Sequence, residues 1–81
     1  MNVKLFRKKP VVIEAVQLTP HNIEEVTQWC GGVCGLVSVA IPTLEGNMIA
    51  WGDKGDWIIK GVAGEFYPCR DEIFTATYEE A

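Results

Sequence analysis

DWIIKGVAGEFYPC, residues 56–69, sets two short runs of β-branched and aromatic side chains on either side of Gly61, Val62, Ala63 and Gly64. Such runs around a glycine-bracketed turn predict a β-hairpin. An isolated hairpin is marginal in water and needs more strands, or a helix, against its apolar face. The rest of the chain has to supply that cover.

Upstream, TLEGN (43–47) and GDKGD (52–56) read as turns on either side of MIAW, and LVSVAI (36–41) as a strand that Pro42 ends. VVIEAVQL (11–18) follows Pro10 and is also β-rich. One face of it carries Val12, Glu14, Val16 and Leu18, the other Val11, Ile13, Ala15 and Gln17. Both faces are largely apolar, which predicts a place inside the sheet or at a subunit contact. Between these strands the period changes: Ile23, Val26 and Cys30 recur at helical spacing, with Trp29 beside the stripe. Two starts fit this helix, Thr19 as N-cap with Pro20 first inside it, or Asn22 with Glu25 as a capping box. Glu24 and Glu25 lie early, where they complement the helix dipole, and Gly31 with Gly32 stops the run. Downstream, RDEIF (70–74) predicts one helical turn capped by Asp71, and TATYE (75–79) a last strand. The expected order is β-α-β-β-β-β-(short helix)-β. That is an α+β domain over residues 1–81, one helix packed on a curved, mainly antiparallel sheet.

With 81 residues, 9.0 kDa, there is room for one domain. Surface scaling gives roughly 4,900 Å² exposed when folded, so only about 63% of the unfolded surface is buried. A 48% hydrophobic composition on so small a chain predicts exposed apolar surface and a homodimer or higher homo-oligomer. The formal charge of −4 argues against broad contact with a nucleic-acid backbone. Four of the seven cations, Lys4, Arg7, Lys8 and Lys9, sit in the first nine residues. The plain reading of that cluster is a solvated strand entry that blunts a sheet edge. MNVKLFRKKP has charges where a secretory apolar run would begin, and no apolar stretch approaches the ~20 residues of a membrane span. Cys30, Cys34 and Cys69 are therefore expected as free thiols in a reducing cytoplasm.

Candidate chemistry is sparse. Three Cys and His21 make a Cys₃His inventory, but Cys30 and Cys34 straddle the glycine pair and form no metal knuckle, so no metal is expected. Nothing around Cys69 resembles an activated nucleophile. Ser38 is the only serine, and neither the P-loop nor the GxGxxG pattern occurs. These absences point to a binding protein without a cofactor. Glu14 stands out because its neighbours on that face are apolar, so it needs a partner; Lys60 or Arg70 across the sheet would satisfy it, or a ligand's hydroxyls or amines. Trp51, Trp57, Phe66 and Tyr67 fall on three consecutive strands. They either fill the core or offer a stacking surface for a flat base, with Lys60 and Arg70 near enough to meet a phosphate. The candidate ligand-binding set is Trp51, Trp57, Lys60, Tyr67, Arg70 and Glu14.

Three stretches, RKKPVVIEAVQLT (7–19), NIEEVTQWCGG (22–32) and GDWIIKGVAGEFYPCRDEIFTATYE (55–79), together resemble a widespread family of small bacteriophage and prophage proteins. Members tend to show a Lys-Pro-Val-x-(Val/Ile)-Glu-Ala start and a GDWIIKGVxGEFYPC block. This chain has Arg70-Asp71 where the family often has Lys-Pro, and GDKGD where a Pro-Gly-Asp turn is common. The resemblance implies no catalytic residue. It implies a phage accessory protein acting in the bacterial host cytoplasm, and such proteins often counter host defence. Two mechanisms fit: sequestering a nucleotide-type immune signal in a pocket shared between subunits, or binding a host defence protein through an apolar and acidic surface. An enzyme that degrades the signal would need a clustered base or metal.

Overall fold

The 56–69 hairpin forms, and the rest of the fold is built on it. The computed structural model describes residues 1–7 and 9–81; Lys8, one of the four clustered cations, lies outside the described residues. The elements are β1 (Glu14–Gln17), α1 (Ile23–Cys30), β2 (Val33–Cys34), β3 (Ser38–Thr43), β4 (Gly46–Trp51), β5 (Trp57–Lys60), β6 (Phe66–Cys69) and α2 (Asp71–Thr77). They make two antiparallel three-stranded sheets, β1-β5-β6 and β2-β3-β4, in an α+β fold with a mainly sheet core.

The first sheet has two occupied faces. Its register stacks Glu14, Lys60 and Phe66 in one row and Val16, Ile58 and Pro68 in another, all on one side. This side meets α1 and the inner face of the second sheet. Leu18, Ile23, Val26, Cys30, Val39, Ile41, Ala50 and Ile58 form the core there, with Val16 and Phe66 packed against it. The other side carries Ala15, Ile59 and Tyr67, then Gln17, Trp57 and Cys69. Here the ring of Phe74 from α2 lies on Trp57. Ile59 is buried on this side, away from the main core.

The boundaries of β1 and β3 differ from the sequence reading, each for a local reason. β1 begins at Glu14, not Val11, because its partner β5 ends at Lys60, opposite Glu14, where the turn at Gly61 takes over. It is also an edge strand rather than an interior one; its apolar character is used by two covered faces, not by two neighbouring strands. β3 runs through Pro42 to Thr43. β2 pairs only with Val39 and Ala40, so past Ala40 one side of β3 is open and a missing N–H costs no ladder bond. Pro68 is tolerated for the same reason on the edge strand β6.

The helices show the same control by neighbours. Of the two starts for α1, the later one is adopted, with Asn22 as N-cap, but its side chain makes no cap hydrogen bond. Instead Asn22 Oδ1 accepts from Thr19 N at 2.8 Å and Nδ2 donates to Gln17 O at 3.0 Å, tying the β1–α1 loop. Gly31 ends α1 in the left-handed region, φ 69°, and its N–H donates to Thr27 O. The expected last strand at 75–79 does not form; α2 continues to Thr77. Thr75 and Thr77 hydroxyls donate back to Asp71 and Ile73 carbonyls, and Phe74 and Tyr78 rings stack at 5.0 Å, one helical turn apart. Packing on Trp57 overrides the β preference of Thr and Tyr. Asp71 is the first residue inside α2 and Arg70 is the N-cap.

Among the described residues no helix is long and apolar enough to cross a membrane.

Candidate functional site

The six sequence-derived candidates fall in three places. Glu14 and Lys60 are directly opposite in the β1–β5 register, with Lys60 Nζ 3.9 Å from Glu14 Oε2. The cross-strand partner expected for Glu14 is therefore Lys60. The Glu14 side chain is not buried among its apolar neighbours: it keeps 70% of its exposure, because the face ends at the strand edge. Lys60 Nζ also lies 5.9 Å from the centroid of Phe66.

Trp57 and Tyr67 are on the opposite side of that sheet, under α2. The Trp57 indole stacks on Phe74, and its Nε1 donates to Asp71 Oδ1 at 2.9 Å. Its polar handle and one ring face are thus used within the fold. Tyr67 is hydrogen-bonded to Tyr78, and its hydroxyl is pushed up to about 12 by burial first, then by Tyr78, Glu65 and Cys69. Neither ring faces Trp51.

Trp51 and Arg70 do come together. They line an open groove of about 490 Å³ between the end of β4 and the β6–α2 junction, with Met48, Ile49, Lys54 and Glu72. The GDKGD segment shapes its wall. Gly55 takes φ 69°, and its N–H donates to Gly52 O at 3.2 Å. The chain reverses so tightly that Asp56 N donates to Trp51 O at 3.1 Å while Asp56 Oδ2 accepts from Trp51 N at 2.9 Å. The Asp56 carboxylate is buried and satisfied by this bond, and the two-way clamp fixes the Trp51 backbone. Trp51 is 39% exposed, and Lys54 Nζ sits 5.8 Å from its ring centroid. That distance is within cation–π range. Among the described residues neither Lys54 nor Arg70 is in an ion pair.

Cys69 lies in the same groove. Burial, with the Asp56 and Glu72 carboxylates nearby, pushes its thiol up, so it is held in the protonated form and away from the thiolate that a nucleophile requires. Cys30 is buried and Cys34 exposed, and all three cysteines are free. No group of three or more His, Cys, Asp or Glu side chains converges among the described residues.

Lys54 was legible only as a turn residue, because the placement of its ammonium over Trp51 depends on the reversal at Gly55. Phe74 and Asp71, which occupy Trp57, were masked by the expectation of a single helical turn.

An exposed indole on a fixed backbone, with Lys54 and Arg70 beside it and in no ion pair among the described residues, can hold a flat ring by stacking and an anionic group by charge. Comparisons with protein-family models, with curated proteins and with solved structures find no match for this chain.

Proposed function

We propose that this is a phage accessory protein of the host cytoplasm that binds a nucleotide-type immune signal without cleaving it, and that the groove at Trp51 is where it binds. The observation carrying this reading is the exposed Trp51 indole beside Lys54 and Arg70. A base stacks on the indole, contributing roughly 1–3 kcal/mol, and the guanidinium meets a phosphate bidentately. Lys54 swings from the ring to the anion. Trp57 and Tyr67 are engaged by Phe74, Asp71 and Tyr78, Glu14 and Lys60 pair across β1 and β5, and none of the four lines the groove. The phage and anti-defence context rests on the family resemblance of the three sequence blocks.

The test is to incubate the protein with cyclic nucleotide signals, including those made from NAD, then separate and heat it. Release of the intact signal supports sequestration, and a cleaved product defeats it. Trp51→Ala and Arg70→Ala, both at exposed positions, should each abolish uptake and leave the circular dichroism spectrum unchanged.

One observation favours a second reading, direct binding to a host protein. Val33, Ile49 and Trp51 share the outer face of the second sheet and are 71%, 49% and 39% exposed. A contiguous apolar face of that kind suits a protein partner. Absence of uptake of every nucleotide tried, with co-purification of a host protein lost on Ile49→Glu, would select it.

A further inference from the structure

The amino-terminal arm makes little use of its apolar side chains within the chain. Val3, Leu5 and Phe6 are 80%, 101% and 89% exposed, and residues 1–7 form no helix or strand. The protein measures 48 × 27 × 18 Å with a radius of gyration of 14.2 Å. A compact chain of this length has about 11.7 Å. Its accessible surface is 6495 Å². That exceeds the scaling value for its mass by roughly 1,600 Å². Each partner in a standard interface gives up about 800 Å², so the excess is enough to supply one.

Charge points the same way. The first nine residues carry four cations and no acid, while the remainder carries three cations against eleven acids, a formal −8. An arm with that charge and alternating apolar residues is complementary to the body of its own chain.

The receiving site is the edge strand β1, whose outer side has no strand partner among the described residues. Beside it, between β1 and α1, lies a groove of about 590 Å³ lined by Val16, Val26 and Trp29 and flanked by Glu14 and Glu25. A free strand edge offers ladder hydrogen bonds, the groove takes alternate side chains, and the two carboxylates meet lysine or arginine.

We propose that two copies of this chain exchange arms, residues 1–7 of each lying along β1 of the other. The arm is joined to β1 by residues 8–13 alone, so a two-fold axis near that connection makes the exchange reciprocal. This self-association does not depend on what the Trp51 groove binds.

The test is the mass in solution of the full chain, by light scattering over a concentration series reaching about 200 µM, within the range of weak dimers. The expected result is twice the 9.0 kDa chain mass, falling to one chain mass on deletion of residues 2–7 and on the double substitution Leu5→Glu, Phe6→Glu. The exposed arm supports no core residue, so both variants should keep the wild-type circular dichroism. Glu25→Lys should weaken the dimer about ten-fold, and Glu25→Lys with Lys4→Glu should restore it. A monomeric full-length chain at the top concentration overturns the proposal and leaves the arm to a different partner. A dimer that survives both arm variants also overturns it, and moves the interface to the outer face of the second sheet.

Discussion

The Trp57 indole lies flat on the Phe74 ring, with centroids 3.9 Å apart and planes 8° from parallel. This pair joins the central strand β5 to α2, and Tyr78 extends it by a further ring. A seven-residue helix with no buried residue of its own has little other reason to form. Trp57 is therefore structural. Trp57→Phe keeps the stack and loses the hydrogen bond to Asp71, which should cost about 1 kcal/mol. Trp57→Ala loses both and should cost roughly 2–4 kcal/mol, toward the lower side of core aromatic truncations because the residue is half-buried. Urea unfolding followed by circular dichroism separates the two, and equal effects would contradict a role for the ring.

Alkaline stability should depend on Tyr67. Its hydroxyl holds its proton up to about 12 in the folded chain against 10.0 when unfolded. The folded state thus binds this proton more tightly, so the stabilisation is complete below pH 10 and is lost as pH rises from 10 toward 12. Absorbance titration of tyrosinate should show one late-ionising tyrosine. In Tyr78→Phe, which removes the hydrogen bond and the charge contribution, that step should move down toward 10.

Gly31 and Gly32 should respond differently to alanine. A Cβ on Gly32 would lie 2.6 Å from the Ala40 carbonyl oxygen and 2.7 Å from Val39 Cγ1, so β2 could not approach β3 as it does. Gly32→Ala should cost roughly 1–3 kcal/mol through overpacking. Gly31 has open space but a φ of 69°, so Gly31→Ala should cost only about 1–2 kcal/mol through backbone strain. Thermal unfolding of the two variants side by side gives the comparison.

Asp56→Ala leaves Trp51 N without its acceptor at a part-buried position. A loss of about 1–3 kcal/mol is expected. The fluorescence of Trp51 should change with it, since the clamp that fixes its backbone is gone; an unchanged spectrum in a Trp29→Phe, Trp57→Phe background would rule out that coupling.

Glu14→Gln should change stability by less than about 0.5 kcal/mol, because a 3.9 Å pair with side chains 39% and 70% exposed is screened by water. Urea midpoints at low and high salt would reveal a larger contribution.

Residues 56–69 specified their own hairpin, because two β-rich runs and a glycine-bracketed turn are local signals. The α1 stripe of Ile23, Val26 and Cys30 and the glycine stop were legible in the same way, from periodicity, whereas for Glu14 the sequence offered Lys60, Arg70 or a ligand and only the strand register selected Lys60. The sequence alone thus determined the α+β class and most of the element order. Only tertiary structure decided that six strands divide into two sheets, that 75–77 extends a helix, and that Trp57 turns toward Phe74 while Trp51 turns toward Lys54 and Arg70. Alternation along a strand tells which residues share a face, but not which element covers that face. That depends on side chains distant in sequence, which is why the aromatic set read as one site is split between an internal stack and an open groove.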